Sequence, residues 1–443
     1  MRRIIVCVLL LFSLFMTSCL AEPMNTEKES DSVPTAEKPE SQKEESKDMN
    51  TDTAPEKYTA KNFDNVKAMW LSQYDLSAVY TAGGRQRECA DFTERIKAIL
   101  KNVSDMGINT IYVQVRPFAD SFYPSKVYPD SRYVSGDYGR QMDYDPFEIV
   151  LSEGHSLGLS VHAWINPLRA MTDDEIKRVS GEYDIKKWYD DPDTRGKYVS
   201  EVSGRWYFNP AYPETRDLVC RGAREIVENY DVDGIHIDDY FYPTTDESFD
   251  SEAYSAYKAS GGKLSLADFR RENINSLVRE LYAAVKDENE TMLFGVSPAG
   301  VMNNNYNKLY ADVAVWCQNE GYIDYLCPQL YFGFEHATCA FDKLCREFSE
   351  MIKRDDIKLI FGMTLGKAKS EYDQYAGTGK YEWRDHKDIL VRQLKYTETV
   401  DNCIGVSYFC YQYFFDPLTG ARVAETAEEV DKLLPLLKTV KWR

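Results

Sequence analysis

Two neighbouring carboxylates, Asp238 and Asp239, close an apolar run in the stretch DGIHIDDYFYP at residues 233–243. Carboxylates are rarely buried without a partner or a task. Two of them flanking a bond, one as nucleophile or base and the other as acid, are the minimum for glycoside hydrolysis. Asp238 supplies the first group. Glu335 or Asp239 could supply the acid, with Asp120 and Asp416 as weaker candidates. Other chemistries lack their parts. His155, His162, His236, His336 and His386 form no HxH or HxxxH pair, and no CxxC occurs. No metal site is therefore expected, and no cofactor. The chain also lacks GxSxG, the turn of a serine hydrolase.

These residues need a frame to hold them. Eight short apolar runs recur along the chain, at 66–70, 110–115, 159–165, 234–241, 293–298, 323–332, 358–365 and 404–412. Between them lie amphipathic segments at 91–107, 213–230, 266–288 and 386–400, and another at 423–440 follows the last run. Alternating strand and helix implies parallel strands with right-handed crossovers. Eight such units predict a closed (β/α)8 TIM barrel. A doubly wound open sheet is the competitor, but no Gly-rich phosphate loop follows the first strand. The longest excursion, 166–212, leaves the C-terminal end of the third strand, where active-site loops belong.

Period-two alternation then sorts the faces. In the fourth strand Ile235 and Ile237 face the helices, while His236, Asp238 and Tyr240 face the barrel mouth. Asp239 lies where the strand stops, so alternation leaves its direction open. Gln114 and Arg116 share a face in the second strand, His162, Trp164 and Asn166 in the third, and Gln329 and Tyr331 in the sixth. Arg116, Gln114, Asn166, His236 and Gln329 are candidates for contacts with sugar hydroxyls. Trp164, Tyr240 and Tyr331 are candidates for stacking on rings. Each has a plain alternative as packing or a satisfied core group. Polar residues recurring at the same ends of four strands would all need buried partners. Glu320 and Asp324 precede the sixth strand and read as structural.

The rest of the chain bounds setting and partners. Residues 1–18 read as a signal peptide, with two arginines, thirteen apolar or small residues from Ile4 to Met16, and Met-Thr-Ser ahead of Cys19. Cys19 is expected to become a lipidated N-terminus that holds the protein on the outer face of a bacterial membrane. Residues 20–57 carry eleven acidic and five basic residues and little that is apolar. Residues 19–61 are therefore expected to form a disordered tether, and residues 62–443 the barrel. A formal net charge of −19 argues against nucleic acid. A glycan polymer is the expected partner, and a monomer the expected state. Cys220, Cys317, Cys327 and Cys410 fall within expected strands or helices and read as buried free thiols.

The segments AMWLSQYDL, INTIYVQVRPFADSFYPS, GLSVHAWINPLR, WYFNPAYPETRD, YDVDGIHIDDYFYP, GVSPAG and EGYIDYLCPQLYF stand in this order across 62–415. Together they resemble the bacterial glycosyl-hydrolase-like family ten, whose members include lipoproteins of a divisome-localised type. The resemblance implies a glycosidase barrel and hydrolysis of a β-linked amino-sugar polymer, peptidoglycan strands among them. More distantly, GIHID looks like the strand of the α-amylase clan that ends in a nucleophilic Asp, here Asp238. DGIHIDDY also looks like the chitinase motif, with Tyr240 where chitinases carry their Glu. That departure excludes the ordinary chitinase mechanism. It leaves a non-catalytic glycan-binding barrel, and an exo-acting enzyme on dietary or host polysaccharide, as alternatives.

Overall fold

A computed structural model describes residues 58–370 and 372–442. Cys19 and most of the expected tether lie outside them. Eight parallel strands close into a barrel: β1 (Val66–Leu71), β2 (Thr110–Arg116), β3 (Ser160–Ile165), β4 (Gly234–Ile237), β5 (Leu293–Val296), β6 (Tyr325–Leu326), β7 (Lys358–Thr364) and β8 (Cys403–Phe409). Each is followed by a helix on the outside: α1 (Cys89–Asp105), α2 (Pro146–Ser156), α3 (Pro213–Asn229), α4 (Leu266–Glu288), α5 (Val313–Gln318), α6 (Phe341–Met351), α7 (Ile389–Thr397) and α8 (Ala427–Leu437). This is the (β/α)8 barrel that the alternation implies. The helices form for local reasons. In α1, Phe92, Ile96, Ile99, Leu100 and Val103 lie on one face and are buried. α2 starts where Asp145 caps the N–H groups of Phe147 and Glu148 and Pro146 takes the first turn.

The outward faces of the strands build the main core. Ile111, Val113, Val161, Ala163, Ile235, Ile237, Phe294 and Val296 are all fully buried against the helices. At full burial each of the valines, isoleucines and the phenylalanine contributes roughly 1.5–3 kcal/mol. The barrel interior is filled with rings instead: Trp70, Tyr112, Trp164 and Tyr325, together with His162 and His236. Tyr112 and His236 stack with centroids 4.1 Å apart. Two glycines leave room for the rings, because a Cβ on Gly295 would strike the Tyr325 ring at 1.9 Å and one on Gly234 would strike His162 at 2.6 Å.

The buried polar groups among these rings satisfy one another in a single direction. Trp70 Nε1–H can only donate, and it donates to His236 Nε2 at 3.1 Å. The other nitrogen of His236 therefore carries the proton and donates to the Tyr325 hydroxyl at 2.8 Å. That hydroxyl gives its own proton to His162 Nδ1 at 3.0 Å, and His162 Nε2–H donates to Asn62 Oδ1 at 3.0 Å. Burial pushes His162 down to about 4 and His236 further below its usual range, so both rings are neutral.

Asp233 closes the barrel floor. It accepts from Val161 N–H at 2.7 Å, from the Tyr58 hydroxyl at 2.7 Å and from Lys61 N–H at 2.5 Å. Residues 58–61, expected to be tether, are thus hydrogen-bonded to the base of the barrel. Three further differences from the sequence reading stand out. The sixth strand is only two residues long, because Pro328 has no N–H to extend the ladder; Gln329 continues it through isolated bridges to Ala299 and Gly362. The 166–212 excursion contains a three-stranded antiparallel sheet of Arg169–Thr172, Val199–Val202 and Arg205–Phe208. Its Ser203-Gly204 turn has both residues at positive φ, a two-residue hairpin signal legible as SG between two short apolar runs. Last, β2 carries a bulge: Gln114 pairs with Trp164 but Arg116 with Ile165. One extra residue, Val115, therefore reverses the facing of everything after it.

Candidate active site

At the C-terminal ends of the strands lies a small pocket, about 100 Å³, lined by Trp70, Ser72, Gln73, Tyr74, Gln114, Trp164, Arg169, Asp238, Asp239, Tyr240, Gln329, Tyr331 and Phe409. Larger concavities exist on the surface; that of 520 Å³ between Pro124 and Tyr230 lies among the charged side chains of α3 and holds none of the strand-end residues.

Asp238 is 3 % exposed and is met by three donors. Trp164 Nε1–H reaches Oδ2 at 3.1 Å, the Asn166 amide donates to the same oxygen, and Tyr240 N–H reaches Oδ1 at 3.2 Å. The amide orientations follow from the backbone. Gln73 N–H donates to Gln114 Oε1 at 2.8 Å, which leaves Gln114 Nε2 to donate to Asn166 Oδ1 at 2.7 Å. Asn166 must then present its NH₂ to Asp238. Gln73 is itself held by a capping box, in which Ser72 and Asp75 bond reciprocally at the start of the helix Gln73–Tyr80.

Asp239 shares the pocket because β4 stops at Ile237, so alternation no longer separates the two carboxyls. It accepts from Gln329 Nε2–H at 3.1 Å, and the same nitrogen is steered by the Ser297 carbonyl at 3.2 Å. Burial, followed by the adjacent Asp239 charge, raises Asp238, and burial raises Asp239. Two such neighbours cannot both ionise easily, so the pair keeps one proton well above the ordinary carboxylate range. Asp238 accepts from three N–H donors and Asp239 from one side-chain donor, so when the pair holds a single proton this geometry favours the anion on Asp238.

The expected site residues divide into three groups. Asp238, Asp239, Gln114, Trp164, Tyr240, Gln329 and Tyr331 line the pocket. Asn166 and His236 are fully buried beneath it. Asn166 works through Asp238, and His236, expected to contact sugar, instead holds Trp70 from below. The third group lies elsewhere. Arg116, expected at the mouth, is turned outward by the bulge; it packs over the Tyr128 ring at 4.7 Å and donates to that hydroxyl at 2.7 Å. Glu335 is not a pocket residue. Its N–H is held by the buried Glu382 at 2.9 Å, its side chain is 52 % exposed, and its only ion-pair contact among the described residues is His386 at 3.7 Å. Asp120 accepts from Phe118 N–H and the Tyr138 hydroxyl, and Asp416 caps a turn at Leu418 and Thr419. Neither touches the pocket.

Trp70, Ser72, Gln73, Tyr74, Phe409 and Arg169 are pocket residues that the candidate set lacks. Arg169 follows INPL in the third loop, and a cation three residues past Asn166 is the signal that could have found it. Its guanidinium packs against the rings of Phe118 and Tyr240, at 4.6 and 4.4 Å from their centroids.

Fold and site together define a glycosidase-type barrel, with a carboxylate pair at the strand ends inside aromatic walls. Residues 65–376 match the Glycosyl hydrolase-like 10 family, and the chain belongs to it. Glycosyl hydrolase YngK of Bacillus subtilis (strain 168) is 32% identical over 329 residues, 70% of this chain and 61% of that protein. The chain thus spans under two thirds of that relative's length. Glycosyl hydrolase DigH of Escherichia coli (strain K12) is 29% identical over 351 residues, 73% of this chain and 77% of that protein. The same fold recurs in the PgaB (BpsB) glycoside hydrolase domain of Bordetella bronchiseptica, with a TM-score of 0.55 and 14% identity over 85% of this chain and all of that one. The catalytic domain of a Paenibacillus polymyxa β-amylase also scores 0.55, at 10% identity, over 85% of this chain and 99% of that one.

Proposed function

We propose that the protein is a membrane-anchored glycoside hydrolase that cleaves the glycan strands of the bacterial cell wall. The observation that supports this most directly is the pair Asp238–Asp239, the first buried and the second half-buried, in one aromatic-walled pocket. In this reading Asp239, in its protonated form, gives its proton to the oxygen of the leaving sugar. Asp238, ionised, acts as nucleophile or base at the anomeric carbon and stabilises the positive charge that develops there. Trp164, Tyr240, Tyr331 and Phe409 stack on the sugar rings, and Gln329 keeps Asp239 in place. Cys19, by its sequence setting, carries the lipid that places the enzyme at the cell envelope.

Peptide-free peptidoglycan strands are the substrate to test. New reducing ends should appear with the wild type, and Asp238→Asn should lower the rate by about 10²–10⁴-fold, the worth of a positioned acid–base group. Equal product release from Asp238→Asn would overturn the assignment. Strands retained without any cleavage would make the barrel a glycan-binding module. Cys19→Ala should move the protein from the membrane fraction to the soluble one.

A further inference from the structure

We infer that Arg169 reads a carboxylate on the sugar in the pocket, so that the substrate is an acidic amino sugar of the lactyl-ether type rather than a neutral one. This rests on the proposed hydrolysis of cell-wall glycan and narrows it. Among the lining residues the only cation is Arg169 and the only anions are Asp238 and Asp239. A guanidinium placed there to neutralise that pair would close on it, as Arg270 closes on Asp250 at 2.6 Å with both side chains fully buried. Arg169 does not. It forms no ion pair within 4.0 Å of any described carboxylate, and its Nε is a buried atom with no hydrogen-bond partner.

The rings of Phe118 and Tyr240 account for that separation, since both hold the guanidinium by cation–π contact. Its terminal N–H donors make no hydrogen bond or ion pair with the described residues and are left for a group the protein does not supply. A planar, always charged fork of donors matches a carboxylate better than a hydroxyl or an amide carbonyl. A neutral sugar would give these donors no charged acceptor of its own, a difference that discriminates between substrates.

The test compares strands bearing free lactyl carboxylates with the same strands after conversion of those groups to carboxamides, at about 0.15 M salt, where long-range effects fade within about 8 Å. The wild type should show at least a tenfold higher kcat/KM on the acid form. In Arg169→Gln the ratio should collapse toward one, and Arg169→Lys, which keeps a point charge without the fork, should fall between. Equal rates of the wild type on both strands would overturn the assignment with no variant needed, as would a loss in Arg169→Gln that is the same for both. A binding arm separates this inference from the hydrolysis itself. Asp238→Asn should bind N-acetylmuramic acid more tightly than N-acetylglucosamine, and Asp238→Asn/Arg169→Gln should not. If no strand is cleaved but that preference holds, the hydrolytic reading fails and the role of Arg169 stands; if the preference is missing, the role of Arg169 falls.

Discussion

Asp238→Asn and Asp239→Asn should fail differently as pH changes. Activity needs an ionised Asp238 and a protonated Asp239, and both carboxyls are raised by burial. The rate should therefore fall on the acid side, as Asp238 gains a proton. It should also fall on the alkaline side, as pH rises through the raised value of Asp239. In Asp239→Asn there is no such proton to lose, so the residual activity should keep its acid limb and lose the alkaline one. A pH–kcat/KM profile of the two variants checks this. Asn166→Ala removes one of three donors to the anion, so the acid limb should move to higher pH. The rate should fall about tenfold, matching about 1.5 kcal/mol for a hydrogen bond to a charge. Glu335→Gln should stay within about twofold of the wild type, because its carboxyl stands half-exposed outside the pocket. Asp238, Trp164 and Gln329 were legible in the sequence because each sits at a strand end in phase with its neighbours. Glu335 was not, since loop residues have no phase, and only the fold shows that Glu382 ties its backbone away from the carboxylates.

At the level of elements, the rings inside the barrel make stability depend on pH. His162 titrates near 4 in the fold against 6.5 when unfolded. Above about pH 6.5 both states are neutral and nothing is lost. As pH falls from there to about 4 the unfolded chain takes up the proton first, and stability declines by about 3 kcal/mol for this residue alone. His236, lowered further, adds to the same slope. Urea unfolding at pH 7 and 4.5 should show the loss, and His162→Gln should flatten the slope between those values. Arg116→Met offers the complementary case. It deletes the contact with Tyr128, so it should lower stability by about 1–3 kcal/mol while leaving KM unchanged. All eight barrel strands were legible from apolar runs bounded by turn residues. The bulge in β2 was not, because Val115 looks like any other strand valine and only the pairing with β3 reveals the extra residue.

The whole molecule carries a formal net charge of −19. An acidic strand approaching it meets repulsion before it meets Arg169. The Debye length falls from about 30 Å at 0.01 M salt to about 8 Å at 0.15 M, so kcat/KM on carboxylate-bearing strands should rise over that range. On the carboxamide form it should stay nearly flat. Charge balance was legible from composition, whereas Arg169 showed only as a cation three residues past Asn166, and its place in the pocket depends on a loop that the closed barrel brings over the strand ends. The docking of residues 58–61 has a further meaning for orientation. Tyr58 and Lys61 are fastened to Asp233 beneath the strands, at the pole opposite Asp238 and Asp239. The described chain therefore enters the barrel at its base, on the side away from the pocket.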